Sequence, residues 1–166
     1  MKTFYFTNPT DDRHKAKEIR KQIEKAVNIQ LLNPFYDHVG NPTKEIAALD
    51  KGKPVSVSDS EIVHSDLKMI RDSDGVIAYI TNKSSWGSIQ ECFVAHYMFG
   101  KTVYIIFDPK TQSKCEQCGI KNPNNPKHPW AKANSTRVFG NLEGFIAYAK
   151  EKYGEKADQS SIIETT

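Results

Sequence analysis

The sequence predicts an α/β domain: a mostly parallel central sheet of about five strands, with helices on both faces. Three observations carry this. Short apolar or alternating runs take turns with segments whose apolar residues recur at helical spacing, which places parallel strands beneath crossover helices. The run Val76-Ile77-Ala78-Tyr79-Ile80 is continuously apolar, as a strand buried on both faces must be. Gly87-Ser88 marks a tight turn beyond it, and an apolar-rich helix, Glu91 to Phe99, is expected to open at Glu91.

Taken in order, Lys2 to Thr7 alternates polar and apolar residues and reads as the first strand, with Phe4 and Phe6 on one face. Asn8-Pro9-Thr10-Asp11 is a turn, and Asp11 or Asp12 is the candidate cap of a helix from Arg13 to Val27. Ala16, Ile19, Ile23 and Ala26/Val27 line one side of that helix. Ile29 to Leu32 is a second strand, ended by Asn33-Pro34. A long polar stretch from Phe35 to Ser60, with Pro42 and Pro54, reads as a loop of the kind that walls a binding site. A short helix from Asp59 or Ser60 to Ile70 follows, with Ile62, Val63, Leu67 and Ile70 expected inward. After the Val76 strand and the Glu91 helix, Thr102 to Phe107 forms a fourth strand. Lys110 to Asn134 reads as a second long loop, Val138-Phe139 as a last strand, and Leu142 to Tyr153 as a last helix.

The 166 residues suit a single domain over residues 1–154 with a frayed polar tail over residues 155–166. A net charge of +3 is too mild to argue for a nucleic-acid polymer or a membrane surface as partner. No apolar run approaches the roughly 20 residues of a membrane span, and no signal-peptide stretch opens the chain, so a cytoplasmic location is expected. Three cysteines without an export signal argue against a disulfide framework. Cys115-Glu116-Gln117-Cys118 is a lone C-x-x-C with His128 ten residues on, and no second pair completes a zinc site, so no metal is expected. Neither a G-x-x-x-x-G-K-[ST] nor a G-x-G-x-x-G motif is present, which disfavours nucleoside triphosphatases and Rossmann dehydrogenases.

Glu91 is the first candidate for chemistry, because the carboxyl end of a parallel strand and the start of the next helix is where open α/β sheets bind ligands. The plainer reading is a charge that complements a helix dipole. Asp66, in His64-Ser65-Asp66-Leu67, faces away from the core or into a cleft, and alone it reads as a solvated helix carboxylate. Two carboxylates in one cleft, however, can divide nucleophile and acid/base roles, because their environments separate their pKa values. Tyr5 on the first strand either edges the core or hydrogen-bonds a carboxylate.

With these residues, the chain resembles the nucleoside 2-deoxyribosyltransferase family. The resemblance rests on Phe4-Tyr5-Phe6 followed by Asp12-Arg13, on Asp66-Leu67 followed by Asp74-Gly75-Val76, and on Gly87-Ser88-x-x-Glu91 followed by Gly100-Lys101-Thr102-Val103. It implies a flavodoxin-like three-layer sandwich and a homodimer or higher homo-oligomer whose subunits complete each other's sites. It also implies Glu91 as the covalent nucleophile, Asp66 as the acid and base for the departing and incoming nucleobase, and Tyr5 as the group orienting Glu91. Ser85, Gly87 and Ser88 would bind substrate, and Asn134 or Ser135 would reach the sugar in a neighbouring subunit. The implied ligands are a nucleoside or nucleotide and a free nucleobase, with no cofactor.

One departure matters. Family transferases often carry an aspartate about two residues before the motif glycine, and here that position is Ser85. Serine there resembles the related nucleoside 5′-monophosphate N-glycosidases, where hydroxyls and a helix N-terminus receive phosphate. Phosphorylation state and acceptor, base or water, therefore stay open. Ser84-Ser85-Trp86 followed by a glutamate is also similar to TIR domains that cleave NAD. Here one more residue separates tryptophan from glutamate than that pattern has, and Asp66-Leu67 finds no place in it. A non-catalytic nucleotide-binding module is the non-enzymatic rival.

Overall fold

In the computed structural model the described residues are 1–157, apart from 38, 55, 82, 84–85 and 113–128; at 111, 112 and 129 only the backbone is described. The chain runs through β1 (Lys2–Thr7), α1 (Arg13–Ala26), β2 (Ile29–Leu32), α2 (Lys44–Asp50), α3 (Asp59–Asp72), β3 (Gly75–Ile80), α4 (Trp86–Phe93), β4 (Thr102–Phe107), α5 (Pro129–Ala133), β5 (Arg137–Phe139) and α6 (Leu142–Tyr153). All strand pairs are parallel, and the sheet order is β2-β1-β3-β4-β5, the flavodoxin-like order.

Strand periodicity divides the core in two. Phe4 and Phe6 of β1, Ile77 and Tyr79 of β3, and Tyr104 and Ile106 of β4 meet α1 and α6 on one face. The alternate residues, Tyr5, Val76, Ala78, Ile80, Val103, Ile105 and Phe107, meet Ile70 of α3, Cys92 of α4 and Ala131 of α5 on the other. Every β3 residue is buried, as its unbroken apolar run requires. At Gly75, where the chain enters β3, an added Cβ would lie 2.4 Å from the Thr102 carbonyl oxygen and 2.8 Å from the Phe4 ring, so a side chain has no room there. The chain leaves β1 toward β2 and α1, but β3 lies on the other side of β1; ligands in open α/β sheets bind at such a switch of strand order.

Several expectations are corrected. The stretch from Phe35 to Ser60 is not a plain loop: α2 lies within it, with the Thr43 hydroxyl accepting from the Ile46 amide at 3.4 Å and Ile46 buried. The flanking polarity masks a helix too short to show a full apolar face. The stretch from Lys110 to Asn134 likewise contains a short 3₁₀ turn (Pro109–Gln112) and α5. Asp12 sits at the start of α1, yet its carboxylate makes no cap; it accepts from the Thr81 hydroxyl instead. Ile62 and Val63 do not pack inward but stay 42% and 54% exposed. The tail begins pinned, because Glu155 bridges to Val27 and pairs with Lys150 at 2.9 Å.

The helix carrying Glu91 also starts earlier than expected. It opens at Trp86, so Glu91 lies within its second turn and not at its start. That removes the helix-dipole explanation for this carboxylate, since the effect fades within the first turn. A wide π turn (Val94–Met98) follows, with the Phe99 amide donating to the Val94 carbonyl at 3.1 Å. Gly100, at φ +59°, then turns the chain into β4.

Candidate active site

The site is built by strand parity and helix spacing. Tyr5 and Thr7, two residues apart on β1, point to the same face of the sheet, the one covered by α3 and α4. Ser88 and Glu91, three apart on α4, share the helix face turned toward them. Asp66 comes from α3, whose start is fixed by a capping box between Ser58 and Glu61.

These residues converge on Glu91. The Tyr5 phenol donates to Glu91 Oε1 at 2.9 Å, and the Thr7 hydroxyl donates to Glu91 Oε2. Thr7 Oγ1 also meets Ser88 Oγ at 2.9 Å. Asp66 lines the same cleft, and it couples electrostatically to both Tyr5 and Glu91. Sequence reasoning placed Thr7 at the end of the first strand but missed it as a site residue. The signal was present: position 7 repeats the parity of Tyr5 and stands at the carboxyl end of the strand.

The electrostatics separate the two carboxyls. Burial raises both, because desolvation disfavours their charged forms. Asp66 is pushed to about 7, first by burial and then by the charge of Glu91. Glu91 is raised by burial, but the hydroxyls of Thr7 and Tyr5 and the neighbouring Asp66 carboxyl oppose that rise. The charge of Glu91 raises Asp66 while Asp66 lowers Glu91, so Asp66 is the member of the pair that keeps its proton to higher pH. The Tyr5 phenol is held far above its ordinary value by burial and by these two carboxyls, so it stays a donor.

The pair opens into a cleft of about 590 Å³, within the usual size of a small-molecule site. Tyr5, Thr7, Asp66, Gly87, Ser88 and Glu91 line it, together with an apolar wall from Pro34, Phe35, Ile62, Val63, Leu67 and Trp86. Trp86 is 75% exposed, so this wall is an open rim. Asn33 braces the floor: its Nδ2 donates to the Phe6 carbonyl at 3.3 Å, and its Oδ1 accepts from the Phe35 amide at 2.8 Å.

Asn134 and Ser135, expected at the site of a neighbouring subunit, lie between α5 and β5 outside this chain's own cleft; Asn134 is buried, and the Ser135 hydroxyl donates to the Ala131 carbonyl at 2.7 Å. Ser85 lies outside the described residues, as do Cys115, Cys118 and His128. Among the described residues no cluster of His, Cys, Asp and Glu is arranged to hold a metal ion. No described helix is long and apolar enough to cross a membrane.

No family model and no curated sequence matches the chain. Solved structures do. A conserved protein from Enterococcus faecalis V583 superposes with a TM-score of 0.59 at 18% identity, covering 92% of this chain and 99% of that one. The 2-deoxyribosyltransferase of the psychrotolerant bacterium Bacillus psychrosaccharolyticus gives a TM-score of 0.53 at 13% identity, covering 94% and 98%. At such identities the likeness is one of fold, and at that level the chain is similar to a 2-deoxyribosyltransferase from end to end, in the flavodoxin-like architecture that its motifs implied.

Proposed function

We propose that this protein cleaves the N-glycosidic bond of a 2′-deoxynucleoside and transfers the deoxyribosyl group to another nucleobase through a sugar ester on Glu91. The observation that carries the reading is one carboxyl held at both oxygens by hydroxyls, beside a second carboxyl that keeps its proton to about pH 7. A nucleophile and an acid with separated pKa values are what a retaining double displacement at a sugar carbon requires.

In the first half-reaction a lone pair of Glu91 attacks C1′, and the C1′–N bond breaks with its electron pair on the base nitrogen. Asp66 gives that base its proton. In the second, a nitrogen of the incoming base attacks C1′, the C1′–O bond to Glu91 breaks, and Asp66 takes the proton released from that nitrogen. Tyr5 orients Glu91 throughout. The carboxyls supply the acid, base and nucleophile, so the scheme calls for no metal or organic cofactor. The apolar wall from Phe35 to Trp86 offers planar bases a face to stack against.

A hydrolytic reading is favoured by one observation, Ser85 standing where the transferases often carry aspartate. Water would then be the acceptor and a 5′-monophosphate the substrate, with Gly87 and Ser88 of the α4 N-terminus facing the phosphate in the cleft. Base release from a panel of deoxynucleosides and their 5′-monophosphates, with and without a second free base, separates the readings. Transfer predicts a new nucleoside only when the acceptor base is present. Free base with sugar phosphate from monophosphates alone would replace transfer by hydrolysis, and silence across the panel would overturn both.

We also infer a homo-oligomer. The support is an exposed apolar surface on α4 and the turns after it, where Phe93, Met98 and Phe99 are 38%, 67% and 37% exposed. Light scattering at assay concentration should give at least twice the 18.8 kDa chain mass, and a fully active monomer would refute the inference.

A further inference from the structure

We propose that Thr7 is a positioning residue for the second half of this reaction: its hydroxyl stabilises the Glu91 carboxylate as the sugar leaves it. The inference rests on the transfer reading above and adds to it a device that belongs to this chain's own β1.

Thr7 is the last residue of β1, only 3% exposed, with its hydroxyl between Glu91 Oε2 and Ser88 Oγ. A threonine hydroxyl carries one proton and two lone pairs. It therefore has two arrangements here. In one it donates to Glu91 and accepts from Ser88; in the other it donates to Ser88. With Glu91 ionised, the charge-assisted bond to the carboxylate is the stronger. Once Glu91 is esterified the negative charge is gone, an ester oxygen accepts weakly, and the proton has Ser88 to turn to. The hydroxyl thus favours free carboxylate over ester.

That preference acts unequally on the two half-reactions. When the lone pair of Glu91 attacks C1′ and the base leaves with the proton from Asp66, the charge that Thr7 stabilises is consumed. When the acceptor nitrogen attacks C1′, the C1′–O electron pair returns to Glu91 and Asp66 takes the nitrogen-bound proton. The charge reappears beside Thr7, which turns its proton back. Only interactions stronger in the transition state than in the state before it accelerate a step, so the hydroxyl speeds release from Glu91 and not attack by it.

The test is Thr7→Val, which keeps the shape and removes the hydroxyl, with Thr7→Ser as the variant that restores it. Steady-state kcat for base exchange should fall about tenfold to a hundredfold, the range for one hydrogen bond to a charged group. The first-turnover burst of released base should persist, and intact-mass spectrometry should show the deoxyribosyl-enzyme accumulating. Thr7→Ser should recover turnover and lose that accumulation. A substrate-free measurement runs in parallel: carbon-13 NMR of labelled glutamate should show Glu91 titrating at higher pH in Thr7→Val. An unchanged titration, or a loss of the burst equal to the loss of kcat, would overturn the role given to Thr7. Full turnover by Glu91→Ala would overturn the underlying transfer reading instead, and no base release by the wild-type protein from any member of the panel would overturn both.

Discussion

Replacing Glu91 by alanine is expected to lower base exchange at least a thousandfold, with Glu91→Gln no better, because loss of a covalent nucleophile removes the pathway and not just one contact. Gln keeps the shape, and its one amide oxygen accepts from Tyr5 or Thr7 but not from both, yet that oxygen cannot form the ester. The two variants thus separate nucleophilicity from packing. Both are expected to fold. Burial already disfavours the ionised glutamate in the native state, so a neutral residue relieves a cost that the fold carries. Thermal melts of both variants should lie at or above the wild-type midpoint near neutral pH, while intact-mass spectra of substrate-incubated protein lose the deoxyribosyl adduct. Retention of wild-type turnover by either variant would remove Glu91 from the chemistry.

How much of this site was legible in the sequence follows from the physics of each residue. The sheet was readable because each strand is buried on both faces or alternates cleanly, and β3 and β4 show almost no polar interruption. Glu91 and Asp66 were readable as carboxylates that the apolar pattern left without a core role. Their meeting was not, since it depends on how α3 and α4 lie over one face of the sheet. Thr7 was hidden by its context. The sequence places it at the end of the first strand, and the β1 register pairs it with Ala78, but a threonine at a strand end carries no mark of the carboxylate it meets.

Ile62 and Val63 mark a second limit. Helical spacing identifies an apolar face on α3 but not what covers it, and here much of it lines the cleft. The start of α4 is a third. Trp86-Gly87-Ser88 carries turn residues, yet it forms the first turn of the helix, and the π turn after Phe93 has no period by which apolar spacing could announce it.

Asp66→Asn is expected to separate catalysis from stability. Asp66 in the folded protein keeps its proton up to about pH 7, whereas an exposed aspartate loses it near the ordinary value of 3.8. Protonating the departing base needs the acid form, so wild-type base release should fall as pH rises through about 7. Asn cannot give a proton, and its turnover on nucleosides whose bases need one should drop about a hundredfold to ten-thousandfold and lose that pH limb. The stability effect has the opposite sense. Between about pH 4 and pH 7 the unfolded chain binds fewer protons at this position than the folded one, so the Asp66 contribution to stability is fully present below that window. It is lost as pH rises through the folded value. Above about pH 7 the fold must hold a second charge beside Glu91, and the Asp66→Asn variant is free of it; that variant should melt higher than wild type at about pH 8 and show little advantage at about pH 4. A variant that melts lower than wild type on the alkaline side, or that keeps the alkaline limb of the rate profile, would mean that Asp66 is neither the acid nor the strained partner of Glu91. The same desolvation that makes this carboxyl a donor at neutral pH is thus what costs the fold stability there, and the two measurements read one cause from opposite sides.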